Sequence, residues 1–372
     1  MSRGVHIAPN GRGLGHNGKQ VAVASAVKEL FEKKGEEIEI YAITEARVLD
    51  LWEDFPVYRI PSPHDMPERK KEIERKNGEV IYGILKTLKP DYVAIDNTPR
   101  PVPEEVGALK FFFLRPYDYS GYENTSHEKS EKSWGGFDYF LIPTHPELEN
   151  ILDLDERWEK KKKDVEGRGG EWIQIGRIIP FKKYLDKLKG RKRKRGEILL
   201  AYGGGGLLNF KEGKHLERIV ETTSHQYRLI TGPYAEREFV RALKKKFGER
   251  LKVEEGFLHP REYARKLAEA EVVINPFGYN TQTMCFYLGT PVVSILFRRA
   301  MDKSRMNWAK KLEEAGATEV IYEGVNEGEA GRIIDKVLES REEIVKNASK
   351  FVEFDGGKNA AEIIYRALEE VL

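Results

Sequence analysis

Apolar positions along the chain fall into short continuous runs, separated by stretches in which they recur every three or four residues, and the two patterns alternate almost from end to end. The continuous runs read as buried strands: Gly4 to Ala8, Ile38 to Ile43, the segment ending at Asp96, Lys110 to Leu114 and Phe137 to Ile142 in the first half, then Ile198 to Tyr202, Tyr227 to Thr231, Leu251 to Glu254, Val272 to Ile274 and Val292 to Phe297. Helical spacing predicts a helix from about Lys19 to Lys34, with Val21, Ala24, Val27 and Leu30 on one face, and others over Glu45 to Trp52, Glu68 to Leu88, Lys214 to Glu221 and Ala235 to Phe247. His259-Pro260 opens a further helix, and a last one runs to Leu372. Strands that are apolar throughout, joined by helices, require a parallel sheet covered on both faces. The expected class is therefore α/β, built from Rossmann-like, doubly wound parallel sheets.

Length turns this into two domains, since 372 residues are too many for one ordinary domain and enough for two of similar size. Charge excludes little by itself: 63 Lys and Arg against 61 Asp and Glu leave a net of +2, which gives no global reason to expect a nucleic-acid partner. The lone Cys285 rules out an internal disulfide framework or a cysteine zinc site, and it is expected in the core of a protein kept reduced. No apolar run approaches the roughly 20 residues of a membrane span, so the expected location is cytoplasmic, or peripheral at the inner face of the membrane. Two stretches stand out by charge. Residues 153–170 read as an insertion with an exposed helix, in which Asp153-Leu154-Asp155 serves as helix capping, and Arg191 to Arg195 reads as a solvated linker, with contact to anionic lipid heads as the alternative.

Candidate chemistry gathers where glycines follow strands. The loop Asn10-Gly11-Arg12-Gly13-Leu14-Gly15-His16 follows the first strand, and Gly203, Gly204, Gly205 and Gly206 follow Tyr202. Glycine lets a backbone pass close to a ligand. The stretch Val272 to Pro291 reads as strand, turn at Gly278 and helix start at Asn280-Thr281, where unpartnered N–H groups can accept a diphosphate; spacing alone fits equally an ordinary turn capped by Asn280 or Thr281. No acidic residue closes the second strand as a dinucleotide fingerprint requires, so a nicotinamide cofactor is not expected. No His or Cys pair has zinc spacing, and no metal or other cofactor is expected.

These stretches resemble one family. Gly278, Thr281, Gly289 and Pro291 match the G-x-x-T and G-x-P donor-side signature of GT-B glycosyltransferases, particularly the glycosyltransferase family 28 C-terminal-like kind, which includes the lipid-linked N-acetylglucosamine transferase of peptidoglycan synthesis. Asn307-Trp308-Ala309, Leu312 and Ala315-Gly316-Ala317 are similar to that family's N-A-x-x-L-x-x-x-G-A segment, Thr231-Gly232-Pro233 continues the likeness, and the loop ending at His16 resembles its glycine-histidine loop. Ile175-Gly176-Arg177-Ile178-Ile179-Pro180 looks like its crossing between domains. The resemblance implies an acceptor-side domain over residues 1–178, a nucleotide-sugar domain over 179–354, and a final helix, 355–372, packing back on the first. It further implies a donor site drawn from Gly13, Gly15, Gly203 to Gly206, Gly232, Gly278, Asn280, Thr281, Gln282 and Asn307, in a cleft shared with His16.

The expected function is transfer of a sugar from a nucleotide-sugar donor, UDP-linked by the resemblance, to an unidentified acceptor such as a glycan or lipid-linked sugar. Such enzymes generally need no bound metal, because backbone N–H groups and a helix dipole stabilise the leaving diphosphate. An inverting transfer needs a general base. His16 has the right kind of side chain, with Asp96 and Asp118 as alternatives; the equal alternative for His16 is an imidazole that only hydrogen-bonds. Tyr117, Tyr119 and Tyr122 offer stacking surfaces or are simply half-buried loop residues. Nucleotide-sugar hydrolases or epimerases of the same fold, and a binding protein without turnover, stay open. One position departs from the family: Met284 stands where relatives carry a ribose-gripping Glu, which leaves a ribose held by another group, Gln282 first, a weaker donor site, or a ligand other than the usual uridine diphosphate sugar.

Overall fold

The computed structural model describes residues 1–8, 14–96, 102–115, 136–202, 208–210, 213–298 and 303–371. Gly13, Asp118, Gly203 to Gly206 and the three tyrosines Tyr117, Tyr119 and Tyr122 lie outside the described residues. The chain divides into two compact units, one made of Met1–Ile178 with Phe354–Leu372 and the other of Ile179–Glu353.

The first unit is a seven-stranded sheet: β1 Ser2–Ala8, β2 Ile38–Thr44, β3 Val57–Arg59, β4 Tyr92–Asp96, β5 Leu109–Phe113, β6 Tyr139–Ile142 and β7 Glu171–Gln174. Its order is β3-β2-β1-β4-β5-β6-β7, with every pairing parallel. The reason lies in the side chains: Val5, Ile7, Val93, Ile95, Phe112 and Phe140 are buried on strands apolar to both faces, so helices must cover both sides. The second unit repeats the scheme with six strands, β8 Glu197–Ala201, β9 Gln226–Ile230, β10 Leu251–Glu254, β11 Val272–Asn275, β12 Val292–Leu296 and β13 Glu319–Tyr322. They are ordered β10-β9-β8-β11-β12-β13, again all parallel, around a core that includes Ile198, Leu200, Leu229, Ile274 and Ile295. Among the described residues no helix is long and apolar enough to cross a membrane.

Four expectations change. The first helix spans Leu14–Lys34, five residues longer at its start than glycine content suggests, so His16 lies in its first turn rather than in a loop. Residues 45–52 form only a one-turn 3-10 helix, Asp50–Trp52, because the Thr44 hydroxyl accepts the Ala46 N–H at 3.0 Å and diverts the backbone at the outset. An unforeseen edge strand, β3, follows Pro56; it is short and faces solvent with Tyr58 and Arg59, as an edge must. The charged stretch after β6 is no insertion. Its helix, Arg157–Glu166, buries Trp158 and Val165 and is the crossover that brings the chain to β7, with Asp155, just before it, accepting the Arg157 N–H at 3.1 Å.

The last helix, Gly356–Val371, belongs to the first unit and packs along the first helix, with Phe31 and Tyr365 meeting edge to face at 5.0 Å. Its start is pinned where the chain leaves the unit. The Gly356 N–H donates to the Arg177 carbonyl at 2.9 Å and the Asn359 side chain donates to the Ile175 carbonyl at 2.8 Å.

Candidate functional site

In a doubly wound sheet the strand order reverses at one point, and the crevice beyond the carboxyl ends of those two strands is where ligands bind. In the first unit the reversal falls between β1 and β4, which pair with Ile7 opposite Ile95. The first helix leaves just beyond β1, and Asp96 ends β4. That placement joins residues 80 positions apart: His16 Nδ1 lies 2.9 Å from Asp96 Oδ2. The other carboxylate oxygen, Oδ1, accepts from Lys19 Nζ at 2.8 Å. Asp96 is wholly buried, and His16 and Lys19 are only 8% and 4% exposed.

The pairing fixes the tautomer. An ionised carboxylate only accepts, so His16 carries its proton on Nδ1 and keeps the Nε2 lone pair. Burial pushes the His16 imidazole below its ordinary range, more than the Asp96 charge and hydrogen bond pull it up, and Lys19 and Arg115 push in the same direction as burial. Burial alone would raise the Asp96 carboxyl, but Lys19 and His16 outweigh it and hold it below the usual carboxylate range. With its proton on Nδ1 and its tendency to charge lowered, the imidazole keeps Nε2 able to take up a proton. Asp96, expected as an alternative base, is the hydrogen-bond partner of His16.

Around this trio the first helix carries a second layer. Asn17 accepts from Thr44 Oγ1 and from Trp52 Nε1, both at 2.8 Å, and its amide nitrogen is buried without a partner. His6, fully buried on β1, bonds Gln20 at 2.7 Å and the Tyr92 hydroxyl at 3.0 Å, which leaves the Gln20 amide nitrogen unpaired as well. Gly15 lies in the first turn of the same helix.

In the second unit the reversal falls between β8 and β11. Beyond β11 the chain turns at Phe277, whose φ of 52° is rare for a bulky side chain; its ring is held edge-on against Trp308 at 4.7 Å. Gly278 then caps the helix Tyr279–Leu288 without supplying a side-chain hydrogen bond to the first turn. Thr281 shares a hydrogen bond with the Tyr263 hydroxyl at 2.7 Å. Asn280 is half-buried in that first turn, and Asn307 is half-buried on the helix Lys303–Glu314. Gly232, with φ 70°, follows β9 and bridges to Gly256. Asn275, the last residue of β11, is completely buried, and neither atom of its amide has a hydrogen-bond partner. Such an amide is costly on its own.

Gln282, expected to grip a ribose, is completely buried and donates to Ser294 Oγ on β12 at 3.1 Å. Met284 is 2% exposed and lies in the core. The basic run is likewise not a free linker: Arg191 and Lys194 grip Glu269 at 2.8 and 2.9 Å, and Arg193 donates to the Gly289 carbonyl.

Neither a family model nor a curated protein matches the sequence. Solved structures do, over nearly the whole chain. UGT89C1 of Arabidopsis thaliana, complexed with UDP, is 12% identical at a TM-score of 0.69, covering 99% of this chain and 100% of that one. A UDP-glucosyltransferase from Polygonum tinctorium is 11% identical at 0.67, covering 99% of each chain. MurG of Acinetobacter baumannii is 15% identical at 0.58, covering 98% of this chain and 100% of its own. The fold is that of the GT-B glycosyltransferases. Within this GT-B fold the first unit holds the His16, Asp96 and Lys19 cluster, and the second unit holds Asn275, Gly278, Asn280 and Thr281.

Lys19 and Asn275 were not singled out from the sequence. Lys19 shares a helix face with His16 three residues earlier, a signal hidden by starting the helix at Lys19 itself. Asn275 was read only as part of a turn, since nothing in a sequence marks an amide that folding leaves unpaired.

Proposed function

We propose that this protein is a glycosyltransferase that moves a sugar from a nucleotide-sugar donor to a hydroxyl-bearing acceptor, with His16 as general base. The observation that carries the reading is the His16 to Asp96 hydrogen bond, 2.9 Å and buried, at the switch point of the first sheet in a GT-B fold. The acceptor oxygen attacks the anomeric carbon, the bond to the diphosphate breaks, and the acceptor proton goes to His16 Nε2; Asp96 holds the imidazole and stabilises its charged form. One displacement with one base inverts the anomeric centre. The donor diphosphate is assigned to the start of the Tyr279–Leu288 helix, where Gly278 leaves the first turn without a side-chain cap, so leaving-group charge is met by backbone N–H groups without a metal. Gly232 and Asn307, on the same unit, belong to the same assignment, and UDP is the nucleotide to test first because one matched structure is complexed with it. The acceptor class is a glycan or a lipid-linked sugar; for the latter, the exposed Lys192 and Arg195 suit a peripheral contact with the inner face of a membrane.

The test is incubation with UDP-sugars, with and without candidate acceptors, while free UDP is measured. Acceptor-dependent release supports transfer, and release into water alone assigns a hydrolase. If uridine, guanosine, cytidine and thymidine diphosphates all fail to raise the unfolding temperature at millimolar concentration, the donor-site assignment falls.

A further inference from the structure

The Asp96 carboxylate is shared by two basic groups. Oδ2 faces His16 Nδ1 at 2.9 Å and Oδ1 faces Lys19 Nζ at 2.8 Å, with all three side chains buried. A buried carboxylate needs a counter-ion. With only an imidazole beside it, it would draw a proton onto that imidazole and form a buried ion pair, and an imidazolium that already holds its proton is no base. Lys19 changes the balance, because its ammonium already supplies the positive charge. A second proton on His16 would then put two cations against one anion in a space with little water.

We infer that Lys19 is a positioning residue that serves as the standing counter-ion of Asp96 and thereby keeps His16 unprotonated and ready to accept a proton. This rests on the reading of His16 as the base. The charged groups that act on His16 are Asp96 from β4, Lys19 from its own helix and Arg115 from the segment after β5; Lys19 and Arg115 both disfavour the imidazolium, and Lys19 donates to the carboxylate oxygen that His16 does not face. By fixing Oδ1 the ammonium also sets the carboxylate plane, so that Oδ2 faces Nδ1 and the tautomer does not drift.

The experiment is titration of the His16 imidazole by NMR in protein carrying isotope-labelled histidine, with the His16 signal assigned by its loss in His16→Asn. Lys19→Gln keeps a hydrogen-bond donor but removes the charge, and its His16 midpoint is expected to rise by about 1 pH unit or more. Lys19→Arg restores the charge and is expected to return the midpoint to near the wild-type value. An unchanged or lower midpoint in Lys19→Gln overturns the inference and leaves Lys19 a structural ion-pair partner. Should Lys19→Gln not fold, Asp96→Asn is compared with Lys19→Gln/Asp96→Asn, in which no buried charge is stranded. A higher midpoint in the double variant supports the inference, and equal midpoints refute it. The titration needs no donor or acceptor, so its outcome is independent of whether sugar transfer is found. Where UDP release is measurable, the acidic limb of kcat should move with the NMR midpoint, and a limb that stays put while the midpoint moves refutes His16 as the base without touching the Lys19 coupling.

Discussion

Asp96→Asn separates the two things that Asp96 does for His16. The amide retains roughly the shape of the carboxylate but no longer stabilises the imidazolium, and its nitrogen can donate to Nδ1 and reverse the tautomer. Turnover should fall by roughly 10²-fold or more while donor affinity stays nearly constant, and a turnover within a factor of two of wild type would remove the pair from the mechanism. Asn275 makes the opposite trade. Asn275→Leu replaces an unpaired buried amide with an apolar group of similar size, so the free protein should gain on the order of 1 kcal/mol. If a nucleotide satisfies that amide, the thermal shift it causes should shrink in the same variant; an undiminished shift means that Asn275 faces no ligand. His6 supplies a pH signature. Burial, opposed in part by the Gln20 hydrogen bond, lowers its pKa from 6.5 to about 4. The unfolded chain therefore binds a proton that the folded one refuses, so stability present above pH 6.5 is lost as pH falls toward 4, by roughly 3 kcal/mol from this residue. Urea unfolding at pH 7 and pH 4 should show a smaller loss for His6→Gln than for wild type. None of these three sites was fully legible beforehand: Asp96 was visible as a strand end and His16 as a histidine among glycines, but the hydrogen bond between them is created by the order of β1 and β4.

At the scale of elements, the return of the chain into the first unit depends on two glycines set back to back. Gly176 has φ 85°, and a Cβ on Gly356 would lie 2.2 Å from the Gly176 carbonyl oxygen and 2.8 Å from its carbon. Backbone cannot yield as a side-chain tip does. Gly356→Ala should cost about 2 kcal/mol or more, whereas Gly83→Ala, in an exposed helix interior with nothing within 4 Å of the new methyl, should be neutral or stabilising. Comparable denaturant midpoints for the two variants would show that the junction gives way more easily than its geometry implies. Elements were legible where a continuous apolar run had only one use, as in the strands ending at Asp96 and Leu296. They were misread where composition masked a tertiary role. Gly15 and Gly18 made the first turns of the His16 helix look like loop, and the Arg157–Glu166 crossover buries just Trp158 and Val165 among charges.

At the scale of the molecule, the two units differ in how the chain builds them. Ile179–Glu353 is one uninterrupted segment that contains every strand of its own sheet. Expressed alone, it should unfold in a single cooperative transition and retain whatever nucleotide affinity the whole protein shows; calorimetry and thermal shifts on the fragment check both. Met1–Ile178 expressed alone lacks the Gly356–Val371 helix and should fail to give a cooperative transition. The same discontinuity governs events on the ribosome. The segment that separates the halves of the first unit is 175 residues long (353 − 179 + 1), which at about 5–20 residues per second takes roughly 10–35 seconds to synthesise. For that interval the helix bearing His16 has no partner for the face that later receives Tyr365, and the second unit, though made later, is the first to be complete. The nascent protein therefore completes its second unit before its first, and the strip around Phe31 is what a chaperone would meet in the meantime.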